Sequence, residues 1–258
     1  MNIESFIKGD YVKSIVSEGS RTDGRGFDDM RKLEIEKGYV GEKSSGSAYV
    51  RLGKTEVLAG ISMDMGEPYP DSPTSGVMTT STELRPIASP YFESGPPREE
   101  SIEVARVVDR GIRESGAIDV DSLLIEEGKV WIVFMDLHIL NFDGNLFDAC
   151  SYAAAAALRD SRLPKIEDGT IVRGEWDGKL PVTCTPVSFT FGKIGSNILL
   201  DPCSDEEYAL DTRLTVTTTD TVNAMQKGGN GSFKPEEAKD CVSKAFKKAP
   251  EIRKILEG

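Results

Sequence analysis

The stretch KVWIVFMDLHILNFDGNLFDACSYAAAAALRDS, residues 129–161, decides the fold class. Residues 129–140 are almost continuously apolar and read as a buried strand. NFDGN, 141–145, supplies turn residues. Residues 146–161 then read as a helix. Ala153 to Ala157 are strong helix formers, and their small side chains let a core helix pack closely.

Working outward, GSAYVRLGKTEVLAGISM (46–63) reads as a hairpin of two β-rich runs joined at LGKT. Residues 3–17 read as an amphipathic helix, and a Gly- and Asp-containing loop leads into a strand at 31–36. Residues 66–98 form a long Pro-, Gly- and Ser-rich excursion with one strand near 76–84, and 99–115 read as a helix. Beyond the central stretch, 180–202 reads as two strands and 210–229 as a threonine-rich hairpin. A helix runs from Pro235, and Pro250 is expected to kink or break it. Repeating βαβ alternation is missing, so the fold class is α+β with mixed β-sheets and packed helices. Each half opens with strands and passes to helices. The expectation is one domain, 1–258, with duplicated β-α halves at about 20–160 and 161–258.

Composition narrows the function. Of 258 residues, 38% are hydrophobic and 29% charged, which suits a globular chain. The net charge of −12 argues against generic adhesion to nucleic acid, so any RNA contact must be a local patch. An apolar run of membrane-spanning length is missing, and the N-terminus lacks the basic-then-apolar plan of a secretory leader. Cys150, Cys184, Cys203 and Cys241 are scattered and read as thiols of a reducing compartment, which points to the cytoplasm. The single histidine, His138, ends an apolar run and reads as structural. Asp136, Asp143, Asp148 and Asp177 read as surface or capping groups, so neither a metal site nor a cofactor is expected.

Charge concentrates in VARVVDRGIRE, 104–114. On a helix, Arg110 and Arg113 fall at roughly 40° and −20° from Arg106, forming one stripe. Val104, Val108 and Ile112 fall on the opposite side. The stripe is either a solvated face paired with Glu103, Asp109 and Glu114, or a rail for phosphates, which arginine binds bidentately. The turn FDGNLFDA opens a helix whose N-terminal N–H groups suit an anion, but Leu146, Phe147 and Asp148 oppose one.

Several stretches carry a family resemblance: RTDGRGFDD, GSAYVRLGKTEV, GEPYPDSP, PIASPYFESGPP, SIEVARVVDRGIRES, KVWIVFMDLHILNFDGNLFDA, LPVTCTP and NAMQKGG. Together they span nearly the whole chain, which resembles the RNase PH-like proteins and, within them, the non-catalytic ring subunits of the archaeal exosome. The resemblance implies an RNase PH-like fold and a six-membered ring, a trimer of heterodimers with a catalytic RNase PH-like subunit. It also implies a cap of RNA-binding subunits and 3′-to-5′ phosphorolysis of single-stranded RNA. Active members carry a Gly–Ser/Thr–Arg phosphate turn, where this chain has Asn145, Leu146, Phe147 and Asp148. They carry a catalytic aspartate two residues before a P-V pair, a position that the resemblance assigns here to Lys179. The implied role is a catalytically silent RNA-binding and structural subunit with no catalytic residue of its own. Arg106 and Arg110 match RNA-contacting arginines, with Arg113 and Arg98 as further candidates, and the loop of Arg21 and Arg25 shapes fold and interface. The alternatives are a self-sufficient phosphorolytic 3′-exoribonuclease and a spacer that never touches RNA.

Overall fold

The computed structural model describes residues 3–258, with side chains from Lys8 onward. Helix α1 (Ile3–Ser17) precedes strands β1 (Leu33–Lys37), β2 (Gly46–Leu52), β3 (Thr55–Gly66) and β4 (Val77–Glu83). Helix α2 (Glu99–Glu114), a short β5 (Leu124–Glu126), β6 (Lys129–Asn141) and α3 (Leu146–Asp160) complete the first half. The second half holds β7 (Arg162–Glu167), β8 (Thr170–Lys179), β9 (Val187–Ile194), β10 (Asn197–Leu200), α4 (Ser204–Glu207), β11 (Thr212–Thr218), β12 (Val222–Gly229) and α5 (Pro235–Glu257).

The larger sheet has the order β1-β2-β3-β6-β4, with β5 against the start of β6. Leu52 pairs with Thr55 across a turn whose Gly53 sits at φ +61, a left-handed position that glycine takes without strain. β4 alone runs parallel to its neighbour β6. A parallel pair needs a crossover, and α2 supplies it. The second sheet, β10-β9-β11-β12, is antiparallel throughout. The result is an α+β fold of mixed sheets.

α3 lies between the two sheets, packed on β2 and β3 on one side and on β9 on the other, with α2 alongside. That position explains its composition. Every residue from Leu146 to Leu158 is buried, so the helix has no solvent face and needs side chains small enough for close approach all round. At Gly46 of β2 a Cβ would lie 2.6 Å from the Ala157 carbonyl oxygen, which shows how tight the contact is.

Three sequence expectations change. β6 is not buried on both faces. Val133, Met135, Leu137 and Ile139 point into the core, while Ile132, Phe134, Asp136 and His138 lie on a half-exposed outer face. Apolar residues on both faces hide the period of two that a half-buried strand shows. His138 stands on that outer face, 3.4 Å from Glu83, so it is not a core residue. The β7–β8 hairpin escaped the sequence reading, because its strands are polar and mostly exposed, although Asp168–Gly169 is a hairpin signal. Pro250 does not end α5, which runs on to Glu257. Beyond it Ile252 and Leu256 are buried and Arg253 donates to the Thr185, Thr218 and Thr219 carbonyls, so tertiary contacts carry the helix past the lost hydrogen bond. All four cysteines are free thiols, and among the described residues no helix is long and apolar enough to cross a membrane.

The Arg21–Arg25 loop joins the halves. Arg21 is 4% exposed and grips Glu206 through Nε (2.8 Å) and Nη2 (2.6 Å), while donating to the Leu200 and Asp201 carbonyls. Arg25 and Arg31 both reach the Asp201 carboxylate, and Arg31 also donates to the Asp143 and Gly144 carbonyls before α3. Burial works to raise the Asp201 pKa, but hydrogen bonds and charge from Arg31 outweigh it and hold the group below the usual carboxylate range.

Candidate nucleic-acid interface

α2 presents its two faces as its periodicity requires. Val104, Val107, Val108 and Ile112 are buried, and Arg106, Arg110 and Arg113 are exposed. Glu99 and Glu100 in the first turn and Arg113 in the last complement the helix dipole. Gly111 lets β11 press close, since a Cβ there would stand 3.1 Å from Thr217 Cγ2. The helix axis is therefore fixed, and its outer stripe with it.

The four candidate arginines differ in their partners. Arg98 pairs with Glu93. Arg113 donates to Asp109 (Nε to Oδ2, 3.2 Å) and to the Met78 carbonyl (3.1 Å). Thr80 Oγ1 donates to Asp109 as well, at 3.0 Å. Glu103 turns away to Arg213 of β11, at 2.6 Å. Glu103 and Asp109 are thus engaged by Arg213 and Arg113, Glu114 stands exposed without a contact, and among the described residues the side chains of Arg106 and Arg110 form no ion pair or hydrogen bond. Both border a cleft of about 350 Å³ floored by Thr80 and Thr82 of β4, with Ile102 and Ala105 along one wall. Two unpaired guanidinium groups one turn apart can bind successive oxyanions on an extended backbone.

The N-terminus of α3 is different: its own chain fills it. Asn145 caps the helix from a left-handed conformation (φ 53) and donates its Nδ2 to Asp148 Oδ2 (2.8 Å) and Asp201 Oδ1 (2.7 Å). Asp148 is fully buried and also accepts from the Thr190 amide (2.9 Å) and hydroxyl (2.8 Å). The Asn145 amide donates to Glu207 at 2.8 Å. Burial, with the nearby Asp201 charge, pushes the Asp148 pKa up to about 7, and burial, with Glu100, pushes Glu207 to about 7. Arg213 lies over the Phe147 ring, 4.4 Å from its centre, and Glu99, Glu100 and Glu103 line the adjoining cleft. Carboxylates and a bulky ring thus surround the N-terminus of α3.

Lys179 is a correction. The resemblance gave it the position of a replaced catalytic acid, which would have to share a site with this turn. It ends β8 opposite Arg162, which follows the C-terminus of α3, so the length of a fifteen-residue helix, ~22 Å, separates the two. They cannot form one site, and Lys179 says nothing about the chemistry at Asn145. What faces the turn is Arg213, Glu207 and Asp201, none of which the sequence reading singled out. Asp201 follows β10, Glu207 ends α4 and Arg213 lies in β11, and local periodicity reports inward or outward, not which helix end a residue meets. The four aspartates weighed as metal ligands disperse: Asp136 accepts from Ser81, Asp143 from Ser204, Asp148 is buried, and Asp177 is exposed on β8.

Two larger sheets around a buried alanine helix, with the β7–β8 hairpin as a third, make up an RNase PH-type architecture. The chain belongs to the RNase PH family of 3′ exoribonucleases: residues 29–164 match its domain 1 and 184–248 its domain 2. It is 51% identical over 263 residues to exosome complex component Rrp42 of Thermococcus gammatolerans, covering 99% of this chain and 96% of that one. It is also similar to a chain of the Archaeoglobus fulgidus exosome with RNA bound to the active site, at TM-score 0.91 and 48% identity over 98% of this chain and 99% of that one. A chain of an archaeal exosome core matches at TM-score 0.88 and 44% identity over 99% and 98%.

Proposed function

We propose that this chain is a catalytically silent, RNA-gripping ring subunit of an archaeal exosome. It works in the cytoplasm beside a catalytic RNase PH-like subunit, as a heterodimer in a hexameric ring with RNA-binding cap subunits on one face. Its halves, about 20–160 and 161–258, act as one unit. Arg106 and Arg110 hold the phosphate backbone of single-stranded RNA near its 3′ end while the neighbour performs phosphorolysis. Arg113 and Arg98 assist, though each already has a carboxylate partner. Backbone contacts carry no sequence information, which suits a general degrader.

One observation carries the proposal: in a chain of net charge −12, two neighbouring arginines on a fixed helix are left without partners beside a cleft. Similarity over nearly full length to relatives named as exosome components supports the assembly. The filled N-terminus of α3 supports silence, because an incoming phosphate would meet Asp148, Asp201 and Glu207.

The test is phosphate-dependent shortening of single-stranded RNA by this chain alone, the catalytic partner alone, and the two mixed. Activity mainly in the mixture is expected. Activity of this chain alone, surviving stringent purification, would overturn the silent role.

A further inference from the structure

The far end of α3 carries an arrangement of charge that the α2 reading does not use. Arg162 and Lys179 are register partners across the β7–β8 hairpin. Like charges directly opposite on paired strands repel. Among the described residues, the side chains of both, and that of Lys37 of β1, form no ion pair or hydrogen bond. All three line one cleft of about 630 Å³, together with Arg159.

Its four cations face three acids, Glu42, Asp160 and Glu257, which leaves one positive charge in excess. Asp160 accepts the Ser47 amide at 3.0 Å. Glu257 accepts from Arg159 at 3.1 Å and from Thr185 at 2.8 Å. Only Glu42, exposed at the rim, has no partner. The cations are also held in place. The Arg162 guanidinium lies 4.4 Å from the centre of the Trp176 ring, and Arg159 Nε and Nη2 donate to Thr185 Oγ1 at 2.8 and 2.6 Å. Groups already oriented lose little freedom on binding a ligand.

We infer that this cleft binds a phosphate group, borne either by an RNA strand or by free orthophosphate. Arg162 would grip two phosphate oxygens through its planar fork, and Lys179 and Lys37 would act as point charges. Bound phosphate would also relieve the repulsion between Arg162 and Lys179. The site lies at the opposite end of α3 from the filled turn and does not depend on Arg106 or Arg110.

The test uses the full chain carrying Arg106→Glu and Arg110→Glu, so that α2 contributes nothing. One arm titrates it with a short fluorescein-labelled single-stranded RNA, the other with inorganic phosphate by calorimetry. Adding Arg162→Glu and Lys179→Glu is expected to weaken RNA binding about tenfold and to make the log–log salt slope shallower by about 1.4, for two lost phosphate contacts. Loss in the phosphate arm alone identifies free orthophosphate as the ligand, and loss in the RNA arm identifies the strand. Failure of both probes to bind, or binding of both unchanged by the two substitutions, overturns the proposal. Lys179→Gln guards against misfolding. It should raise the melting temperature of the ligand-free chain and diminish the further rise caused by phosphate, and an undiminished rise counts against the site. If Arg106 and Arg110 prove irrelevant in the assembled ring, the α2 reading fails while this one stands.

Discussion

Two sets of arginines divide the molecule. Arg21, Arg25 and Arg31 sit between the halves, with side chains at most 14% exposed, and each meets a carboxylate. Arg106 and Arg110 stand on the outer face of α2 and meet none. Residue type is the same, yet the first set is spent on the fold and the second is left for a ligand. The difference lies in burial. A guanidinium taken out of water must be paired, whereas one left in water need not be. The informative property of an arginine here is what remains unsatisfied around it.

The comparison breaks most visibly at Asp201. Asp201→Ala should leave Arg31 and Arg25 without their shared carboxylate and cost about 3–5 kcal/mol, read from denaturant melts. A loss below about 1 kcal/mol would mean that surrounding carbonyls hold the arginines unaided.

Arg106→Glu with Arg110→Glu is the converse. It should change stability by less than about 0.5 kcal/mol and leave the ring assembled, because exposed unpaired side chains hold nothing. RNA degradation by the complex should fall about tenfold or more, a loss of at least ~1.4 kcal/mol of binding. An unchanged rate in an intact ring would remove these residues from the RNA path.

The buried acids sharpen the contrast through pH. Asp148 and Glu207 have pKa values near 7 in the folded chain, against ordinary values of 3.8 and 4.5. Between these limits the folded state holds protons that the unfolded state has released. Their contribution is thus complete below about pH 4 and is lost as pH rises through about 7. Asp148→Asn imitates the protonated acid, so its melting temperature should fall less between pH 5 and pH 8 than that of the parent chain. Parallel pH profiles would show that Asp148 is ionised throughout.

The smallest effect is expected at Arg113. It already donates to Asp109 and to Met78, so Arg113→Ala should weaken RNA binding less than Arg106→Ala does, by about threefold or less. An equal loss at both positions would mean that partner count does not rank the arginines.

Much of this was legible in the chain itself. The period of α2 placed Arg106, Arg110 and Arg113 opposite Val104, Val108 and Ile112, because a helix fixes direction every 100° whatever surrounds it. The alanine run declared a core helix, which the burial of Leu146–Leu158 bears out. Lys179 was misread because spacing to a Pro-Val pair carries no information about which end of a helix a hairpin reaches. The same limit hid Arg213, Glu207 and Asp201, which arrive at α3 from the second sheet.

The sequence by itself therefore determined most of the elements, the α+β class and the two faces of α2, all set by local dihedrals and by periodicity along one segment. Only the tertiary structure decided which charges are paired. It turned Glu103 toward Arg213 and Asp109 toward Arg113, gathered three arginines around Asp201, and left Arg106, Arg110, Arg162 and Lys179 without carboxylate partners. Pairing depends on distance across the fold, and Coulomb and hydrogen-bond energies fall off over a few ångströms that no one-dimensional spacing records.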